Sequence, residues 1–144
     1  MLYRPIRMVI KDQKVLTCAA GTTVIEAACL MEQNQIGAVM VVEDGRLVGI
    51  FTERDGLFRV IAKGRDAQTT RLTEVMTRNP QTIHPDKPYG HALHVMYEGS
   101  FQHLPVVENG QPVGMVSARD ALGPELEDFV YELLRREQIE QVLA

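Results

Sequence analysis

The chain repeats itself, and this limits its fold more than any other feature. Displaced by 65 residues, 15–57 lies on 80–122 without a gap, and 12 of the 43 pairs are identical. Average composition would give about two or three matches, so the sequence is an internal duplication. The identities concentrate where VVEDGRLVGIFTERD (41–55) meets VVENGQPVGMVSARD (106–120). Two copies of one supersecondary unit, each too small to bury its own sheet, are expected to pack around a pseudo-twofold axis. Together they use most of the 144 residues and leave no length for a separate catalytic domain.

Each copy reads as β-α-β-β-α, an α/β (α+β) unit. A short extended piece (15–18 or 81–83) leads into a helix. In the first copy Thr23 and Glu26 form a capping box, and Ala27, Ala28, Leu30 and Met31 give an apolar face. In the second, Pro88 takes the place of Thr23, which a first helical turn tolerates. Asp44-Gly45 and Asn109-Gly110 are hairpin turns between β-rich runs, and second helices are expected to start at Thr52 and Ser117. Residues 64–70 read as a loop and 71–77 as a single helical turn. Gly123-Pro124 reads as a chain break. An amphipathic helix outside the repeat follows from about Glu125, with Leu126, Phe129, Val130, Leu133 and Leu134 on one face. The expected division is 1–64 for the N-terminal arm and first repeat, 65–122 for linker and second repeat, and 123–144 for the C-terminal helix. Arg4, Arg7, Lys11 and Lys14 make the arm basic and the tail is acidic. The two ends either pair or stay solvated.

Composition narrows the function. The net charge of -4 provides no basic field for nucleic acid or an anionic membrane. The longest apolar runs are too short to span a bilayer. Cys18 and Cys29 fit neither a CxxC nor a zinc pattern and sit among apolar neighbours, as small core residues in a reducing compartment do. The first residues show no leader pattern, so the expected location is the cytoplasm.

The sharpest motif is Gly49-Ile-Phe-Thr52-Glu-Arg54-Asp55, echoed by Gly114-Met-Val-Ser117-Ala-Arg119-Asp120. It lies where a strand gives way to a helix. Glycine permits close approach, and a hydroxyl with backbone N–H groups suits phosphate. The carboxylate three residues on can accept from a ribose diol, and the arginine can add a charge-assisted phosphate contact. Thr-x-x-Asp and Ser-x-x-Asp are also plain capping boxes. What separates the two readings is the duplication with the arginine kept.

With these residues in view, the chain resembles a tandem pair of CBS (cystathionine β-synthase) domains, a Bateman module, over residues 15–122. The resemblance rests on the β-α-β-β-α order, the His103-Leu-Pro-Val-Val-Glu-Asn-Gly hairpin, and the G-h-h-[ST]-x-x-D signature in both copies. It implies two clefts for adenosine-containing ligands: AMP, ADP or ATP, with S-adenosylmethionine or NAD as alternatives, and no catalytic cofactor. By resemblance, Asp55 and Asp120 hold ribose, with Arg54 and Arg119 beside them. Thr52 and Ser117 lie near ribose or phosphate. The backbone of Thr17 and Cys18, with that of Thr82 and Ile83, lies beside adenine, and Gln102 and His103 grip phosphate. Gly37 and Ala38 replace that last pair in the first repeat, which implies unequal clefts. The resemblance also implies a homodimer and allows an unidentified protein partner.

His91, His94 and Glu98 share a helix face, either as a metal spacing or as a solvated face, and the second is adopted. His84 has no assigned place. Three functions compete. One is a nucleotide sensor; the second is a homodimeric interaction module with vestigial clefts. The third, an enzyme, finds no Ser/His/Asp set, Walker loop or zinc signature to support it.

Overall fold

Both hairpins turn on paired left-handed residues, Asp44-Gly45 at φ 51° and 76° and Asn109-Gly110 at 55° and 79°. This backbone twist matches that of the flanking strands. The computed structural model describes residues 3–143; Met1, Leu2 and Ala144, at the ends of the expected arm and tail, lie outside them. The first repeat contains β1 (Thr17–Ala19), α2 (Val24–Gln33), β2 (Ala38–Glu43), β3 (Arg46–Thr52) and α3 (Glu53–Asp55), preceded by α1 (Ile6–Val9). Helix α3 widens into a π-helical stretch, Gly56–Ile61. After α4 (Leu72–Val75) and β4 (Thr77–Arg78), the second repeat contains α5 (Tyr89–Gly99), β5 (His103–Glu108), β6 (Gln111–Ser117) and a 3-10 turn, Ala118–Asp120. Helix α6 (Gly123–Leu143) follows.

The fold is thus two β-α-β-β-α repeats with a C-terminal helix. The copies agree down to a bulge opposite Val41/Val42 and Val106/Val107. They differ where proline intervenes. In the first repeat β1 pairs parallel with β2 over three residues. In the second, the expected strand shrinks to one bridge, Ile83 with Val106. Extending it either way needs an N–H from Pro105 or from Pro85, and neither has one. The fourth strand differs too. β4 pairs with Gly49 and Ile50 of β3. At the matching place on β6 the Gln13 side-chain amide exchanges two 2.8 Å bonds with the Met115 backbone.

Proline also explains the C-terminal helix. The expected second helix at Ser117 is a single 3-10 turn, and Gly123-Pro124 starts α6 rather than breaking the chain. Pro124 cannot donate to the carbonyl of Asp120, so a continuous helix is interrupted there and restarts with proline in its first turn. The Asp120 carbonyl accepts from Arg4 Nη2 instead, at 2.7 Å.

Two cores form, and the segments between repeats are exchanged. Cys18, Ala27, Val39, Val41 and Phe51 of the first repeat pack with Leu72, Val75 and Met76, which follow it in the chain. Ile83, Tyr89, Leu93, Leu104, Val106 and Val116 of the second pack with Ile6 and Ile10 of the arm. The glycines of the motif make room for these lead-in segments. A Cβ on Gly49 would lie 2.5 Å from Met76 Sδ, and one on Gly114 would lie 2.9 Å from Ile10. Their role is therefore packing, not approach to a ligand. The arm is pinned by charge as well: Arg4 holds Glu125 through two bonds, and Arg7 holds Asp86 and Glu108. Among the described residues, no helix is long and apolar enough to cross a membrane.

Candidate functional site

The capping geometry places both motif carboxylates. β3 ends at Thr52, whose backbone is extended, and Asp55 folds back over the turn. Thr52 N–H donates to Asp55 Oδ2 at 3.0 Å, and Asp55 N–H donates to Thr52 Oγ1 at 3.2 Å. Asp55 is 8% exposed, and its Oδ1 lies 3.4 Å from Arg59 Nε. Arg59 also donates to the carbonyls of Val75 and Met76, tying the motif to the linker. In the second repeat Ser117 N–H donates to Asp120 Oδ2 at 2.7 Å, and Tyr89 Oη donates to the Ser117 carbonyl. In both copies the cap uses Oδ2 and leaves the other oxygen for a further partner.

Each carboxylate borders a cleft completed by the other repeat. One cleft, of about 810 Å³, is lined by Thr52, Arg54, Asp55, Phe58 and Arg59 from the first repeat. Opposite stand Asn79, Pro80 and Gln81 of the linker and residues 99–103 of the second repeat. The other, of about 830 Å³, sets Ser117, Arg119 and Asp120 against Gln13 and residues 35–37, and runs on as an apolar groove along α2. Glu53, Gln102 and His103 border both. Gly37 fits into this shared wall: a Cβ there would lie 3.0 Å from Glu53 Oε1 and 3.3 Å from His103 Cε1.

Of the residues expected from the sequence, Thr52, Arg54, Asp55, Gln102, His103, Ser117, Arg119 and Asp120 line the clefts. The first-strand positions differ. Thr17, Cys18, Thr82 and Ile83 line neither cleft. Cys18 faces Val41 and Ile83 faces Val106 across parallel pairings, with both side chains in the cores. The clefts instead take the chain just before each second-repeat or first-repeat strand, at Asn79, Pro80, Gln81 and Gln13. Sequence reasoning missed these, and also Glu53 and Arg59. The placement of Arg59 four residues after Asp55 was the available signal.

Charge distinguishes the clefts. The Asp55 cleft has Arg54 and Arg59 against Glu53 and Asp55. The Asp120 cleft has Arg119 against Glu32, Glu53 and Asp120. Burial holds the His103 imidazole below its ordinary value, with Glu53 opposing and Arg119 adding to the effect. Two of the remaining histidines are engaged elsewhere. His94 Nε2 lies 2.7 Å from Glu132 of α6, and Glu98 pairs with Arg136. His84, Asp86 and Glu108 converge. However, Arg7 bridges the two carboxylates and His84 Nδ1 accepts the Asp86 N–H. A metal there would have to displace both.

Paired repeats whose carboxylates each face the opposite repeat across a cleft define a two-lobed module. The family model of the CBS domain matches twice, at 8–61 and 72–124, and the chain belongs to that family. The CBS domain-containing protein CBSCBSPB2 of Arabidopsis thaliana is 39% identical over 110 residues, covering 76% of this chain. This chain spans only 20% of that longer relative. The CBS domain-containing protein YhcV of Bacillus subtilis is 37% identical over 107 residues, 74% of this chain and 76% of that one. Among solved structures, the CBS domain protein PAE2072 from Pyrobaculum aerophilum, complexed with AMP, superimposes with a TM-score of 0.79. It is 22% identical, over 88% of this chain and 98% of that one.

Proposed function

We propose that this CBS pair is a regulatory module that senses adenosine nucleotides of the AMP, ADP or ATP type. The observation that carries this reading is the construction of each cleft from both repeats. A ligand on Asp55 must also meet residues 99–103, so it favours one relative placement of the repeats, and differential affinity for two placements is what a sensor needs. The AMP complex of a protein with the same fold supports the ligand class. Phosphates fit the Asp55 cleft better, because Arg54 and Arg59 offset its acids, whereas acids dominate the Asp120 cleft. Asp55 and Asp120 act by binding; in each, one oxygen is already committed to a cap. The free thiols of Cys18 and Cys29 suit a reducing cytoplasm.

Calorimetric titration with AMP, ADP, ATP, adenosine, NAD and S-adenosylmethionine tests the proposal. Binding of a phosphorylated adenosine ligand at one strong site supports it, and heat-silent titrations of folded protein with all six overturn it. The second reading, a homodimer with vestigial clefts, is favoured by the apolar helix faces left exposed at Leu57, Ile61, Leu126 and Val130. A dimer mass by light scattering, unchanged by every ligand, would select it.

A further inference from the structure

The repeats depart from each other in the wall that the two clefts share. Under the 65-residue offset Glu53 corresponds to Ala118, and Gly37 and Ala38 correspond to Gln102 and His103. The backbone is alike in both copies. Glu53 N–H donates to the Gly37 carbonyl at 2.9 Å, and Ala118 N–H donates to the Gln102 carbonyl at 3.3 Å. Only the side chains differ. At each of these positions one copy has a large group where the other has a small one. A single set of large side chains, Glu53, Gln102 and His103, therefore fills the wall for both clefts.

Glu53 is the acid of that set. It is exposed, and among the described residues its carboxylate forms no ion pair and no side-chain hydrogen bond. Burial holds the neighbouring His103 imidazole below its ordinary value, so at neutral pH His103 does not offset the charge. Asp55 and Asp120 each border one cleft, whereas Glu53 borders both. Clefts of 810 and 830 Å³ are about one Debye length across at physiological salt. An anion in either cleft therefore feels Glu53 wherever in the cleft it lies, and the repulsion grows with each phosphate added.

We infer that Glu53 is a specificity-determining residue for both clefts, one that favours a nucleoside monophosphate over a triphosphate. The inference rests on the reading of the clefts as adenosine-nucleotide sites. It adds to that reading a limit on ligand charge, set by one side chain that the second repeat lacks.

Calorimetric titration of wild type and Glu53→Gln with adenosine, AMP and ATP tests it, in magnesium-free buffer of low ionic strength. Glutamine keeps the size of the side chain and the backbone bond to Gly37, so circular dichroism should show the native fold. ATP should bind about fivefold or more tighter in the variant and AMP about twofold, with adenosine unchanged. Both gains should shrink at about 0.5 M salt, which screens the charge. Glu53→Ala, which gives this position the side chain of its counterpart Ala118, repeats the test should Glu53→Gln fail to fold. Unchanged or weaker ATP binding in the variant, or an equal gain for adenosine, would overturn the inference and leave the adenosine-nucleotide reading in place. Failure of folded wild type to bind any of the three would overturn that reading and this inference together.

Discussion

Removing Arg4 should cost far more than an arginine near a chain end ordinarily does. Its guanidinium donates to both oxygens of Glu125, at 3.2 and 2.8 Å, and to the Asp120 carbonyl at 2.7 Å. The Arg4 side chain is 19% exposed and that of Glu125 3%. The guanidinium also lies 5.2 Å from the centroid of the Tyr89 ring. Arg4→Met therefore strands a buried carboxylate and a carbonyl that Pro124 cannot serve. Breaking a buried pair costs about 3–5 kcal/mol. Glu125 keeps its bond from Leu122 N–H and Arg4 is partly wet, so the lower end, about 3 kcal/mol, is expected. With a urea slope near 2 kcal/mol/M the unfolding midpoint should fall by about 1.5 M. Adding Glu125→Gln removes the stranded charge but keeps an acceptor for the cap, so the double variant should exceed additivity by about 1.5 kcal/mol. A midpoint shift below about 0.3 M would mean that the pair behaves as a surface ion pair worth under 1 kcal/mol, and the proposed role of Arg4 would be wrong.

Further outcomes follow from the packing and the charges. Gly49→Ala should destabilise by about 1–3 kcal/mol, because the new Cβ meets Met76 Sδ and, at 3.0 Å, the Thr77 carbonyl; chemical denaturation measures it, and Met76→Ala should relieve only part. His103 is held below an unfolded-state value of about 6.5. The unfolded chain therefore takes up the proton first, and stability present above about pH 6.5 is lost as pH falls toward the folded-state value. Urea midpoints between pH 7.5 and 5 should fall less steeply in His103→Gln than in the wild type. Alkylation followed by peptide mass spectrometry should label exposed Cys29 and spare Cys18, whose thiol burial pushes up.

Much of this could be read from the chain because it is local. The Asp-Gly and Asn-Gly turns, the Thr23/Glu26 box and the strand-to-helix motif each depend on a few adjacent residues. The duplication turned one local reading into two. What escaped depends on distant partners. Pro105 and Pro85 together reduce a strand to a single bridge, an effect visible only once the parallel register is known. Pro124 reads as a breaker until the Asp120 carbonyl finds Arg4, 116 residues away. The exchange of lead-in segments places Gln13 and Asn79 at the clefts and Gly49 and Gly114 under Met76 and Ile10. Spacing along the chain carries no trace of that exchange.

We propose that the carboxylate held over the strand-to-helix turn binds the sugar of an adenosine nucleotide. Asp55→Asn is the variant for it, because asparagine can still accept the Thr52 N–H while removing the negative charge that borders the cleft. Calorimetry with AMP should show wild-type binding weakened about tenfold or more in Asp55→Asn, as the loss of one hydrogen bond to a charged group requires. The unfolding free energy should fall by no more than about 1 kcal/mol, as loss of the ion pair with half-exposed Arg59 implies. Equal affinity for AMP in the two proteins, with both folded, would contradict the account.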